Sequence, residues 1–126
     1  MEKGFEVKTH APVVPDDIRG PLFEWKLPDG RQITVCLRKK GIKTGGHYHK
    51  GKDPSKNPEK IFIAAGKVKL TLIPPDKQAE SVVLRAGDSV TIQPNIWHRF
   101  EILEDSVIIE YRITYFDRSN PDTFVQ

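Results

Sequence analysis

Lys67-Val68-Lys69-Leu70-Thr71-Leu72 alternates polar and apolar side chains without a break. Successive side chains on a strand point to opposite faces, so this pattern puts Val68, Leu70 and Leu72 on a buried face and the lysines in water. Just upstream, Lys60–Ala65 reads as a second β-rich run. Further outward, similar runs recur at Leu22–Leu27, Gln32–Arg38, Gly46–Lys50, Ser81–Leu84, Ser89–Ile92, Trp97–Ile102 and Val107–Phe116. Gly, Pro, Asp and Asn punctuate them, and Pro28-Asp29-Gly30 and Pro74-Pro75-Asp76 read as turns between neighbouring strands. No heptad, internal repeat or sustained helical apolar period competes with this reading. Nine short runs in 126 residues predict an all-β sandwich or barrel built as one domain, residues 1–126.

Residues 1–15 and 117–126 carry no such run and read as terminal arms, which either pack across a neighbouring subunit or fray. Hydrophobic residues make up 37% of the chain, enough for a core without covalent staples, and the single Cys36 excludes an internal disulfide. The opening MEKGFEVKTHAPVVPDD lacks a secretory apolar segment, and nothing later approaches the roughly 20 apolar residues of a membrane span. The expectation is a cytoplasmic protein without a membrane partner.

A net charge of +3 makes no case for nucleic acid. The charge is unevenly placed, however: Arg38–Lys60 holds eight basic residues against Asp53 and Glu59. Beside a cleft, such a rim concentrates an anionic ligand such as a phosphorylated sugar. The plainer alternative is a solvated lysine-rich surface. Within it, Gly51–Pro58 is turn-forming and proline-broken, and reads as a mobile loop.

His47 and His49 are one residue apart, so on an extended strand both imidazoles share a face while Tyr48 takes the other. Glu59 opens the run Glu59-Lys60-Ile61-Phe62-Ile63, and His98 ends Pro94-Asn95-Ile96-Trp97-His98. A barrel can gather all four around one ion, although two histidines on a strand are also satisfied by ordinary hydrogen bonds. Five residues lie between Gly41 and His47, six between Glu59 and Gly66, and ten between Gly87 and His98.

With these spacings the chain resembles the cupin superfamily, whose two motifs run G-x5-H-x-H-x3,4-E-x6-G and G-x5-P-x-G-x2-H. The resemblance implies a small cupin β-barrel, a jelly-roll-like double-stranded β-helix. It also implies one divalent transition metal on His47, His49, Glu59 and His98. Imidazole and carboxylate suit Zn, Mn, Fe, Ni or Cu alike, so the ion's identity stays open. Two departures stand out. Nine residues separate His49 from Glu59, about five more than the motif, and Gln93 and Asn95 replace its Pro and Gly, with Pro94 displaced by one. Asn tolerates a left-handed turn position better than other non-glycine residues, so the turn is expected to survive.

A second likeness lies in Asp17-Ile18-Arg19-Gly20-Pro21-Leu22-Phe23-Glu24. It is similar to the D-x-R-G-x-x-x-E opening of cupins that process nucleotide-linked keto-sugars, among them the dTDP-4-dehydrorhamnose 3,5-epimerases and the 3,4-ketoisomerases. Gly45-Gly46-His47-Tyr48-His49-Lys50 and the tail Asn120-Pro121-Asp122-Thr123-Phe124 look most like the cupin domain of capsular polysaccharide proteins. These likenesses imply a sugar isomerase, epimerase or binding protein for a nucleotide-linked or anionic sugar in polysaccharide synthesis. Thr44 stands where such relatives often carry Arg, so Lys43 or Arg19 is the substitute for substrate binding, against an ion pair or turn as the structural role of Asp17 and Arg19.

Two mechanisms follow. Either a metal polarises a keto-sugar oxygen while a nearby base takes the adjacent proton, or His47 is itself the base and a barrel tyrosine, Tyr111, returns the proton. Tyr111 belongs to the alternating set Ile109, Tyr111, Ile113 and Tyr115, which reads more readily as core. The alternatives are an Fe(II)-dependent dioxygenase and a non-catalytic sugar-sensing module. Exposed strand edges, with the family's habit of pairing, predict a homodimer.

Overall fold

A computed structural model of the chain describes residues 4–119 and 121–125. The strands are β1 (Leu22–Lys26), β2 (Gln32–Arg38), β3 (Lys43–His47), β4 (Glu59–Ile73), β5 (Glu80–Arg85), β6 (Ser89–Ile92) and β7 (Trp97–Arg112). One short 3-10 turn, Pro54–Lys56, precedes β4. Both turns read from the sequence join hairpins, with Lys26 opposite Gln32 and Leu72 opposite Glu80.

Among the described residues seven strands replace the nine expected, because four of the short runs merge into two long ones. β4 and β7 lie antiparallel along nearly their whole lengths, and each serves two parts of a folded-over sheet. The first part of β4 pairs with β6 and the last part of β7, whose other neighbour there is β2. The second part of β4 pairs with β5 and the first part of β7, whose other neighbour is β3. A single core draws on both halves: Cys36, Ile61, Ile63, Ile92 and Ile108 from one, Val68, Leu70, Leu84, Phe100 and Ile102 from the other. Val68 and Leu70 are buried as the alternation requires, with Leu72 packed partly buried against them.

The fold turns its corner at Gly66. Inward positions on β4 change there from odd (Ile61, Ile63) to even (Val68, Leu70), and the register shifts between Ile63 and Val68. Gly66 adopts φ +91°, and a β-carbon on it would stand 2.4 Å from the Asp105 carbonyl oxygen and 2.7 Å from Ser106 Cα. Only glycine admits both that conformation and that approach of β7.

The run expected at Gly46–Lys50 lies earlier, at Lys43–His47, and a bulge interrupts it between Gly45 and His47. Past its end the chain stays extended, but its hydrogen-bonding partner changes. Tyr48 pairs with Phe124 of the tail through reciprocal backbone bonds of 2.9 and 3.0 Å. Gly51–Pro58 is likewise no free loop, since Asp53, Ser55 and Lys56 within it are buried.

Candidate metal centre

His47 closes β3 opposite His98, the second residue of β7, and Glu59 opens β4 on the inward parity of Ile61 and Ile63. His49 lies just beyond β3, where Asn95 N–H donates to its carbonyl at 2.6 Å. Asn95 itself has φ +68°, the left-handed turn that stands in place of the motif's glycine. Four side chains from separate stretches of chain thereby converge. The three imidazole centroids are 4.8 to 5.4 Å apart, and their ligating nitrogens lie within 4.8 Å of one another. The long loop before Glu59 does not keep it away: its Oε1 is 2.9 Å from His49 Nε2 and its Oε2 3.3 Å from His98 Nε2.

Backbone carbonyls set the proton positions on two of the rings. His49 Nδ1 donates to the Asp122 carbonyl at 2.7 Å and His98 Nδ1 to the Ile96 carbonyl at 2.9 Å, because a carbonyl can only accept. In the neutral rings both Nε2 atoms then turn lone pairs inward, towards a carboxylate that also offers only lone pairs. Among the described residues, buried His49 Nε2 has no hydrogen-bond partner, its approach to Glu59 notwithstanding. Convergent acceptors behind backbone-fixed Nδ1–H groups are the arrangement by which proteins orient histidines on a metal.

The electrostatics agree with a ligand role. Burial, reinforced by the neighbouring His98 and His49, lowers His47 to about 4, so its ring is neutral at pH 7. Burial pushes the Glu59 carboxyl up, but the His49 and His98 rings facing its two oxygens outweigh that and hold it below the usual carboxylate range. Burial disfavours a proton on His98 while Glu59 favours it more strongly, raising its pKa. A divalent cation competes for that same lone pair with twice the charge. Cys36 lines the adjoining cavity, but burial pushes its thiol up to about 12, so it supplies no thiolate at pH 7. These residues fit a divalent transition metal and do not select among them.

The other residues singled out in the sequence divide. Arg19 reaches the rim of the cavity of about 170 Å³ beside the centre, where a two-pronged pair engages it with Asp17 at 2.9 and 2.7 Å. The hydrogen bonds from Arg19 hold the Asp17 carboxyl down at about 2. Lys43, exposed at the start of β3, is not among the residues lining that cavity.

Tyr111 corrects the expectation of a catalytic role. It lies on the outer face of β7, in a groove with Phe62 and Ile109, and its hydroxyl accepts from Arg31 at 3.3 Å. The parity was read one residue out: Glu110 and Arg112 face the cavity, while Ile113 and Tyr115 are exposed instead of forming core.

Sequence reasoning missed Asp122. Its buried carboxylate accepts from the backbone N–H groups of Lys50, Lys52 and Asp53 at 3.1, 2.7 and 3.0 Å, and its carbonyl holds His49. The tail motif that contains it carries a likeness to other proteins but no local sign of a buried carboxylate, and Asn120, which begins that motif, lies outside the described residues. Lys56 and Arg112 were missed too, the first as loop charge, the second through the parity error.

No protein-family model matches the chain. No curated protein matches it in sequence. Solved structures do. The capsular polysaccharide assembling protein CapF from Staphylococcus aureus is 28% identical with a TM-score of 0.78, over 94% of this chain and 34% of that one. A second structure of the same protein gives 27%, 0.75, 99% and 33%. Bacillus subtilis oxalate decarboxylase, studied for its Mn(II) centres, is 18% identical with a TM-score of 0.68, over 84% of this chain and 28% of that one. This chain therefore spans about a third of the length of CapF. Both neighbours are cupins, and this chain has the cupin β-barrel fold. Among the described residues no helix is long and apolar enough to cross a membrane.

Proposed function

We propose that this cupin barrel holds one divalent transition metal on His47, His49, Glu59 and His98, and uses it to bind and isomerise or epimerise an anionic sugar in polysaccharide assembly. The observation that carries the metal is the inward set of acceptor atoms, with His49 Nε2 buried and unpartnered and Nδ1 of both His49 and His98 tied to backbone carbonyls. Support for the sugar comes from the likeness to CapF, named for capsular polysaccharide assembly, together with the D-x-R-G segment and the basic stretch.

When bound, the metal supplies Lewis-acid polarisation of a sugar oxygen. The chain's own groups do the rest. The barrel wall shields the reacting group from water, and cations around the cavity attract negative charge. His47, lowered to about 4, is a weak base at neutral pH, which favours its use as a ligand over the metal-free alternative. The setting proposed is cytoplasmic, and the assembly a homodimer.

The test is metal content, by mass spectrometry, of protein purified without a metal column. Wild type is expected to hold close to one equivalent, and His49→Ala to lose it while remaining folded by circular dichroism. Substoichiometric metal in both, with no uptake from added Zn, Mn or Fe, overturns the ligand assignment. Turnover is tested separately, by following keto-sugar nucleotides with NMR for exchange of the proton adjacent to the carbonyl.

A further inference from the structure

The cavity beside the centre is walled by more positive than negative charge. Arg19, Arg38, Lys56, Arg112 and Arg118 line it with Glu24, Glu59 and Glu110. Three of these cations are answered: Arg19 by Asp17, Arg118 by Glu24 at 2.8 Å, and Arg112 by Glu110. Arg38 donates only to the carbonyls of Gly20 and Leu37, at 2.9 and 3.4 Å. Lys56 is 9% exposed, and its ammonium has no hydrogen-bond or ion-pair partner among the described residues and lies 4.4 Å from the Phe116 ring centroid.

Arg112, though paired with Glu110, is incompletely satisfied. It is 7% exposed; Nη1 reaches the Ser55 carbonyl at 3.3 Å, Nη2 meets Glu110, and Nε has no partner. The Lys56 ammonium feels Glu59, Glu110 and Asp53 only at a distance, and a cavity wall with such a cation beside a second one favours an anionic occupant. Glu59 cannot serve, since both its oxygens face histidines.

Size limits what that anion belongs to. A cavity of about 170 Å³ is slightly larger than one of about 150 Å³ that admits benzene. It admits one six-membered ring, with a sugar's substituents extending into its open mouth, and is too small to enclose a nucleotide as well.

We propose that Lys56 and Arg112 form the carboxylate subsite of this cavity, so that the group taken into the barrel is a single sugar-acid ring, a uronate, with its carboxylate on these two residues and its ring beside His47 and His98. This rests on the reading of the cavity as the ligand site of the metal centre, and goes beyond it in naming the anchoring cations and the ligand's charge and size. The Lys56 ammonium and the Arg112 guanidinium both lie against the Phe116 ring, 4.4 and 5.2 Å from its centroid, so the two cations stand together on the cavity wall and can share the two oxygens of a carboxylate. Any nucleotide attached to the sugar lies outside the rim.

The experiment is calorimetric titration of the full chain with D-galacturonate, D-galactose and inorganic phosphate, on wild type, Lys56→Met and Arg112→Gln, with metal content measured on each sample. Galacturonate is expected to bind at least about tenfold more tightly than galactose. Lys56→Met is expected to lose that preference while keeping its metal. The Lys56 ammonium has no hydrogen bond among the described residues to forfeit, so this variant carries the test even where Arg112→Gln fails to fold. Equal affinity for galacturonate and galactose, unchanged galacturonate binding by Lys56→Met, or binding of phosphate alone overturns the subsite. Lys56-dependent galacturonate binding by protein that takes up no metal supports the subsite and sinks the metal reading. Metal at one equivalent without a uronate preference does the reverse.

Discussion

At the scale of single residues, the centre depends on groups that never touch a metal. Asp122 holds the 50–53 backbone with its carboxylate and the His49 ring with its carbonyl, so its side chain fixes where His49 sits without being a ligand. Asp122→Ala keeps the carbonyl but strands three N–H groups, among them that of buried Asp53. The expected outcome is a loss of about 1–3 kcal/mol in denaturant unfolding. A chelator-competition titration is expected to show metal affinity about 10- to 100-fold weaker. Unchanged metal affinity at reduced stability would mean that His49 is held by the barrel alone. The three converging histidines were legible in the sequence because their motif spacing survives in the chain, and Glu59 was legible despite a longer loop, whereas Asp122 lies 73 residues beyond His49 and nothing local announces the contact. Lys56 and Arg112 escaped for a related reason: a charged residue reads as solvated until a cavity is seen beside it.

At the scale of elements, the strands were legible and their continuity was not. Alternation located both halves of β4, but an inserted bulge residue reverses the parity between them, so a continuous strand reads as two. β7 was divided in the same way at Glu104-Asp105-Ser106, polar residues that look like a turn and instead flank the Gly66 corner. Tyr111 shows the consequence, since a face assignment one residue out sent it into the site. The corner can be tested against an internal control. Gly30 has φ +92° with nothing within 4 Å of an added β-carbon, so Gly30→Ala reports backbone strain alone, about 1–3 kcal/mol. Gly66→Ala adds the collision with Asp105 and Ser106, and its urea midpoint is expected to fall well below that of Gly30→Ala. Equal midpoints would show that β7 yields easily and that the close approach is incidental to the fold.

At the scale of the whole molecule, the outer face of the barrel is the part that water serves least well. Cross-strand registers align Phe23, Val35, Ile109 and Phe62 in one row over β1, β2, β7 and β4, with Trp25, Ile33 and Tyr111 in the next. Trp25 is 55% and Phe62 44% exposed. A continuous apolar face of this kind is unusual on a monomer, and a two-fold pairing covers it with an identical face. The metal centre opens to the opposite side of the same strands, since Glu110 and Arg112 alternate with Ile109 and Tyr111, so pairing leaves the site free. Sedimentation at micromolar concentration is expected to give a dimer for wild type and a monomer for the double variant Trp25→Glu, Phe62→Glu, with metal content unaltered. A wild-type monomer, or a dimer that tolerates both charges, would place the contact elsewhere and leave the apolar rows to another partner. Because the two faces alternate along the same strands, loss of metal in a folded monomeric variant would instead show that subunit pairing and the centre are coupled.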